Sequence, residues 1–385
     1  MKFLIASDSF KGSLTSLQVG NIMSQAIVEE IPDAQVRIIP MADGGEGTID
    51  AVIGAGRGDL IPVSVTGPHG SKVISHYGKL HAHGAQPEAV VEIANICGLT
   101  MVDEGHRDPL MVSSRGLGDM LVALLDQGIR HVVAGLGGSA CNDGGMGMLA
   151  ALGVQFYDEL GHELSGSAAD LLRVASVDWS RMDRRIMDTE LIIASDVTNP
   201  LVGPSGATHV FGPQKGLLPE MIEPLDQAMV RYGRLLEVGN GRDSDQSLLL
   251  SPGSGAAGGL GFALQIIGGR IVPGAEKVAE LTGLKNAVRE SDWVLTGEGR
   301  SDYQTLCGKL PSYVSTLAAE SGKPAVLISG SHGEGVESLY AHFAGCFATV
   351  NKPATLAHCM QEAENLLRQC TRNVARLIDA SRKFR

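Results

Sequence analysis

The sequence predicts an α/β protein of two domains, one inserted into the other, on three observations. Short apolar runs rich in Val, Ile and Leu alternate with amphipathic helical stretches, the pattern of parallel strands joined by crossover helices. A chain of 385 residues suits two domains at about 150 residues each. The pattern changes near Gly67, where alternating residues such as Val73, Ser75 and Tyr77 read as antiparallel ribbon, and it returns to parallel α/β near Leu284.

Element by element, Lys2 to Ala6 reads as the first strand. A helix follows, opened by the capping box Thr15-x-x-Gln18 and closed before Pro32, with Val19, Ile22, Met23, Ala26, Ile27 and Ile31 on one side. Gln35 to Ile39 is the second strand. From Ser114 the residues Leu117, Met120, Leu121, Leu124 and Leu125 fall at i, i+3, i+4, i+7 and i+8, a helix that stops at Gly128 and feeds a strand at His131 to Ala134. Further strands are expected at Leu191 to Ala194, Trp293 to Thr296, Ala325 to Ser329 and Cys346 to Val350, each leading straight into Gly, Ser or Asp. The terminal stretch Arg368 to Arg385 holds six Lys/Arg and one Asp. Leu367, Val374, Leu377 and Ile378 recur opposite them, so it reads as a helix with a solvated basic face.

Composition excludes several classes. Apolar residues make up 44% and charged residues 19%, which rules out a disordered chain despite the net charge of -12. That acidic balance, with no basic stripe through the body, argues against nucleic acid. The 50 glycines are roughly twice the usual share of about 7%, which implies many turns or ligand loops. Cysteines at 97, 141, 307, 346, 359 and 370 show no C-x-x-C spacing, so reduced thiols and a cytoplasmic location are expected. The apolar run Phe3 to Ala6 is too short for a signal h-region, and residues 246–269 carry seven Gly, so no membrane segment is expected.

Two Gly patterns, Gly135-x-Gly137-x-x-Ala140 and Gly253-x-Gly255-x-x-Gly258, match a dinucleotide fingerprint. Only the first follows a strand, and Asn142, Asp143, Gly144 and Gly145 interrupt its helix start. What the pattern retains is Gly-rich backbone whose N–H groups suit an anion at a helix N-terminus. No Walker A motif, protein-kinase signature, H-E-x-x-H or G-x-S-x-G is present. There remain acidic residues set among Gly and Ser in loops: Asp8 beside Ser9 and Lys11, Asp43 before Gly44, Asp143, Asp196 ahead of Asn199, and Glu298 between Gly297 and Gly299 near Arg300. Carboxylates beside Gly and single cations suit a metal–phosphate site, because Mg²⁺ takes one or two protein carboxylates while Lys or Arg neutralises phosphate oxygens. Such residues also serve as helix caps, and Asp143 suits either role, since a helix begins near Met146.

These segments resemble the type-1 glycerate kinases. The resemblance rests on Ile-Ala-Ser-Asp-Ser-Phe-Lys-Gly-Ser-Leu at 5–14, Ala-Asp-Gly-Gly-Glu-Gly-Thr at 42–48, Gly-Gly-Ser-Ala-Cys-Asn-Asp-Gly-Gly at 137–145 and Asp-Val-Thr-Asn-Pro-Leu-Val-Gly at 196–203. Phe-Gly-Pro-Gln-Lys-Gly at 211–216, Gly-Ala-Ala-Gly-Gly at 255–259 and Thr-Gly-Glu-Gly-Arg at 296–300 complete it, in the family order and over essentially the whole chain. Ser7, Cys97, Cys141, Ser254 and Ser301 depart from the residues usual there. The resemblance implies ATP-dependent phosphorylation of D-glycerate, usually at the 2-hydroxyl, with Mg²⁺. It also implies a Rossmann-like domain built from both chain ends (1–62 and 284–385), an inserted α/β domain (63–283) and an active site in the cleft between them.

On this reading Asp196 is expected to take the substrate hydroxyl proton, Lys11 and Arg300 to contact phosphoryl or carboxylate oxygens, and Asp43 and Glu298 to hold Mg²⁺ or its waters. Asp8, Ser9, Gly137, Gly138, Ser139, Asn142, Asp143, Asn199, Lys215, Gly253, Gly255 and Lys309 are expected at the substrate or phosphates. The partner is a small molecule, and oligomerisation stays open. Two other classes remain as alternatives: a nicotinamide-dependent hydroxy-acid dehydrogenase, which would use the Gly fingerprints, and a non-catalytic small-acid-binding protein.

Overall fold

The computed structural model describes residues 1–81, 87–241, 247–306 and 308–383. Strands from both ends of the chain share one parallel five-stranded sheet, ordered Gly345–Ala348, Ala325–Ser329, Trp293–Thr296, Lys2–Ile5, Gln35–Ile38. The middle of the chain forms a six-stranded sheet, ordered Arg270–Val272, Glu190–Ala194, His131–Gly135, Glu88–Glu92, Lys72–Leu80, Gly58–Thr66. Its first four strands are parallel, and the last two form an antiparallel hairpin. The expected ribbon is this hairpin, begun nine residues earlier than Gly67, because Val63, Val65 and their neighbours pair in register with Ser75 and Val73.

Contacts divide the chain into a first unit, Met1–Asp43, Asp50–Arg57 and Ala275–Arg385, and a second, Gly44–Ile49 and Gly58–Gly274. The division differs from the expected limits at 62/63 and 283/284, for identifiable reasons. Residues 58–62 are half of the hairpin and stay with their partner strand. The helix Gly274–Thr282 places Ala275, Val278 and Ala279 in the apolar core around Leu4, Ile39 and Val294. Gly44 belongs with the second unit because a Cβ there would stand 2.8 Å from the Ala194 carbonyl oxygen and 2.9 Å from the Gly274 Cα.

Local signals behave as their chemistry dictates. The helix Ser16–Glu30 starts at a complete capping box, the Gln18 N–H donating to Thr15 Oγ1 at 3.2 Å and the Thr15 N–H to Gln18 Oε1 at 2.8 Å. In Arg115–Asp126 the residues Leu117, Met120, Leu121, Leu124 and Leu125 are all buried, each worth about 2 kcal/mol of transfer free energy. The C-terminal helix Ala363–Lys383 corrects two expectations. Leu377 is 61% exposed, whereas Leu367, Val374 and Ile378 are buried. Its basic face is paired as well as solvated: Arg372 and Arg376 donate to Glu30 at 2.6 and 2.7 Å, and Arg368 pairs with Glu29. Among the described residues no helix is long and apolar enough to cross a membrane.

Candidate active site

In the first unit, Lys2–Ile5 and Trp293–Thr296 run side by side with Ile5 opposite Leu295, so the loops leaving their C-terminal ends are neighbours. Ligands of open α/β sheets bind beyond such ends. The Ser7 hydroxyl donates to the Gly297 carbonyl at 3.0 Å, and the Asp8 N–H donates to the same oxygen at 2.9 Å. Gly297 is required by this packing, because a Cβ would lie 2.0 Å from the Ile328 carbonyl oxygen. Ser16 then fastens the third loop: its hydroxyl donates to the Ser7 carbonyl at 2.6 Å and accepts the Met41 N–H at 2.8 Å, two residues before Asp43.

Three carboxylates and two lysines are thereby gathered on this unit. Lys11 Nζ lies 3.3 Å from Asp43 Oδ2, and Lys309 Nζ lies 3.9 Å from Glu298 Oε2. Burial first, then the charges of Asp43 and Glu298, push the Asp8 carboxyl up to about 7 against the opposing pull of Lys11 and the Ser9 N–H, which donates to Asp8 Oδ1 at 2.7 Å. Asp43 chiefly, with Asp8 and Glu298, pushes the Lys11 ammonium up. Burial also raises Glu298, opposed by hydroxyl donors from Thr305 and Ser301 and by Lys309. A carboxyl held above its ordinary range by burial and by neighbouring carboxylates, as Asp8 is, is stabilised in ionised form by an incoming cation. Arg300 is solvent-facing, its Nε 3.9 Å from Asp302 Oδ2, at the start of a two-residue pairing with Ser331–His332.

The second unit carries the remaining expected residues, and several turn out to be structural. Asp143 is fully enclosed: its carboxylate accepts the Ser114 N–H and hydroxyl, both at 2.7 Å, the Gly145 N–H at 3.1 Å and the Gly147 N–H at 3.3 Å. The capping role therefore prevails over ligand contact. The same bonds correct the anion-cradle expectation, since the N–H groups opening the six-residue helix Met146–Ala151 are taken by a carboxylate of the chain itself. Lys215, expected at the substrate, is 4% exposed and donates to the Cys141 carbonyl at 2.6 Å and to Ser139 Oγ at 3.2 Å, which pins the 137–142 loop from within.

Asn199 holds its own turn through Ser205, at 2.8 Å, and its carbonyl accepts the Gly255 N–H at 3.0 Å. A Cβ at Gly255 would stand 2.2 Å from the Pro200 carbonyl oxygen, and one at Gly253 2.6 Å from Ile271 Cδ1, so these glycines serve packing. A Cβ at Gly137 would meet the Gly45 Cα at 2.5 Å, whereas Gly138 is exposed in the left-handed conformation. Neither Gly fingerprint is a strand–turn–helix: the first helix begins six residues after Ala140, and described residues 247–252 ahead of Gly253 contain no strand. Two residues stand apart from these packing roles. Asp196, just past the strand Glu190–Ala194, is exposed, with Oδ1 held at 2.8 Å by the Gly274 N–H. Asn142 is fully buried, its Nδ2 on Thr208 Oγ1 at 3.2 Å and its Oδ1 without a hydrogen-bond partner among the described residues.

Sequence reasoning missed Ser16, Thr305 and Ser329. Thr305 lies inside the polar run that ends at Lys309, which was the available signal; the other two hydroxyls look like ordinary helix-start and strand residues.

Against this geometry, comparison with known proteins is consistent along the whole chain. The profile of the Glycerate kinase family matches residues 3–379. The chain is 40% identical over 374 residues to a glycerate kinase of Halalkalibacterium halodurans, covering 97% of each, and 37% identical over 377 residues to the glycerate 2-kinase of Escherichia coli K12, again 97% of each. A crystal structure of a provisionally assigned glycerate kinase 2 from Salmonella typhimurium LT2 is similar at a TM-score of 0.83 and 40% identity, with 100% of this chain and 99% of that one covered.

Proposed function

This chain belongs to the glycerate kinase family, and we propose that it transfers the γ-phosphoryl group of ATP to the 2-hydroxyl of D-glycerate, giving 2-phosphoglycerate and ADP. The observation that carries this reading is the set of Asp8, Asp43 and Glu298 with Lys11 and Lys309 on loops of one unit. Among the described residues no three His, Cys, Asp or Glu are arranged to hold a metal by themselves. That fits Mg²⁺ arriving with the nucleotide, which needs only one or two protein carboxylates.

Asp43 and Glu298 are the carboxylates assigned to that ion, which when bound supplies charge neutralisation at the phosphates. Lys11 and Arg300 are assigned to phosphoryl oxygens: Lys11 stays ionised because Asp43 and Asp8 hold it so, and the planar Arg300 fork can engage two oxygens at once. Positioning and charge supply most of the acceleration in such transfers. Asp196, kept in place by Gly274, is assigned the hydroxyl proton. One observation favours a second assignment, because a carboxyl near 7 such as Asp8 is well matched to proton acceptance at neutral pH.

The test is ADP release coupled to NADH oxidation with D-glycerate as acceptor, followed by phosphorus NMR of the product. Turnover of another hydroxy acid but not D-glycerate would overturn the substrate; no ADP release with any acid would overturn the kinase reading. Thermal shifts separate the dehydrogenase alternative, since a ligand at 100 times its Kd adds about 2.7 kcal/mol and MgATP rather than NADH is expected to do so.

A further inference from the structure

We propose that Ser301, backed by Ser329, is a positioning residue that turns Glu298 so that Oε2 is the oxygen offered to a divalent cation. The inference rests on the assignment of Glu298 to the ion and extends it to the hydroxyls that stand behind that carboxylate. Glu298 follows the strand Trp293–Thr296, and its loop is laced to the next strand's exit: the Gly330 N–H donates to the Glu298 carbonyl at 3.0 Å, the Ser331 N–H to Gly299 at 3.1 Å and the Gly333 N–H to Ser301 at 2.8 Å. This ladder brings the Ser301 and Ser329 side chains together with no solvent exposure.

The proton arrangement in that pocket is determined by counting. Ser301 Oγ is 2.9 Å from Glu298 Oε1 and 2.6 Å from Ser329 Oγ, and it has a single proton. Facing a carboxylate it must donate that proton to Oε1, so Ser329 donates to Ser301 and strengthens the bond behind it. Thr305 Oγ1 donates to the same Oε1 at 2.7 Å. Both accepting directions of Oε1 are therefore filled from inside, while Oε2 faces Lys309 Nζ at 3.9 Å. A carboxylate anchored by one oxygen presents the other in a fixed direction, and such outer partners commonly govern metal affinity.

The experiment titrates Mn²⁺ into the ADP complex of the full chain by electron paramagnetic resonance, without turnover, and measures the Mg²⁺ activation constant and the KM for D-glycerate alongside. For Ser301→Ala, Mn²⁺ binding is expected to weaken about tenfold. The Mg²⁺ constant should rise in step while the KM for D-glycerate stays within about twofold, a split that loosened folding alone would not produce. Ser329→Ala, which keeps the direct donor, should fall between Ser301→Ala and the parent and carries the test where Ser301→Ala does not fold; Ser301→Thr should restore binding. Unchanged Mn²⁺ affinity in both alanine variants, with affinity lost in Glu298→Gln, overturns the positioning role and leaves the Glu298 assignment standing. Wild-type affinity in Glu298→Gln overturns both.

Discussion

Replacing Asp8 by Asn should stabilise the free protein. The carboxyl rises from an ordinary 3.8 to about 7, because burial and the charges of Asp43 and Glu298 outweigh Lys11 and the Ser9 N–H. At 1.36 kcal/mol per pKa unit that corresponds to about 4 kcal/mol. The sign follows from proton counting. Below pH 3.8 the group is protonated in folded and unfolded chains alike and carries no penalty. Between about 4 and 7 the unfolded chain releases the proton while the folded one keeps it, so stability is lost as pH rises; above about 7 the full penalty remains. Asparagine is neutral throughout and can still accept the Ser9 N–H. A melting series of both proteins from pH 4 to pH 8.5 should therefore show a gap that opens with pH. For a unit of roughly 160 residues at about 2 °C per kcal/mol, it should reach roughly 8 °C at pH 8. Saturating MgATP should raise the parent more than the variant. A gap independent of pH, or a variant less stable than the parent at pH 8, would refute the argument that Asp8 is held against its own charge.

Other substitutions test the remaining assignments. Asp143→Ala strips four donors of their buried acceptor and should cost about 3–5 kcal/mol in denaturant melts, whatever the ligand; a loss under 1 kcal/mol would return Asp143 to the ligand set. Arg300→Lys keeps the charge but loses the planar fork, so kcat should fall by about tenfold or more with the melting temperature unchanged, and near-normal kinetics would make it an ordinary surface residue. Asp196→Asn preserves an acceptor for Gly274 and should leave MgATP binding intact in calorimetry while kcat drops about a hundredfold or more. If kcat survives there but collapses in Asp8→Asn with nucleotide binding retained, Asp8 is the proton acceptor.

What could be read from sequence divides by whether the signal is local. The capping box at Thr15, the helical spacing from Leu117 to Leu125 and the strand at Trp293 to Thr296 are set by neighbours a few residues away, and the structure contains them within a residue or two. The exposed or half-exposed charges Lys11, Asp43 and Lys309 were also legible, because charge inside a Gly-rich loop has few structural uses. Glycine was the misleading letter. Gly44, Gly137, Gly255 and Gly297 look like openings for a phosphate, yet each is demanded by a backbone passing 2.0 to 2.8 Å from where its Cβ would be, a fact held by a segment distant in sequence. Asp143 stayed open between cap and ligand for the same reason: its first two donors come from Ser114, 29 residues upstream. A loop sequence of Gly, Ser and Asp thus specifies close backbone packing and ligand approach in the same alphabet, and what separates them is whether a buried carboxylate has its donors satisfied. Asp143 has four protein donors; Asp8 has the Ser9 N–H and the Lys11 charge set against its burial and two acidic neighbours, an arrangement that an incoming cation would relieve.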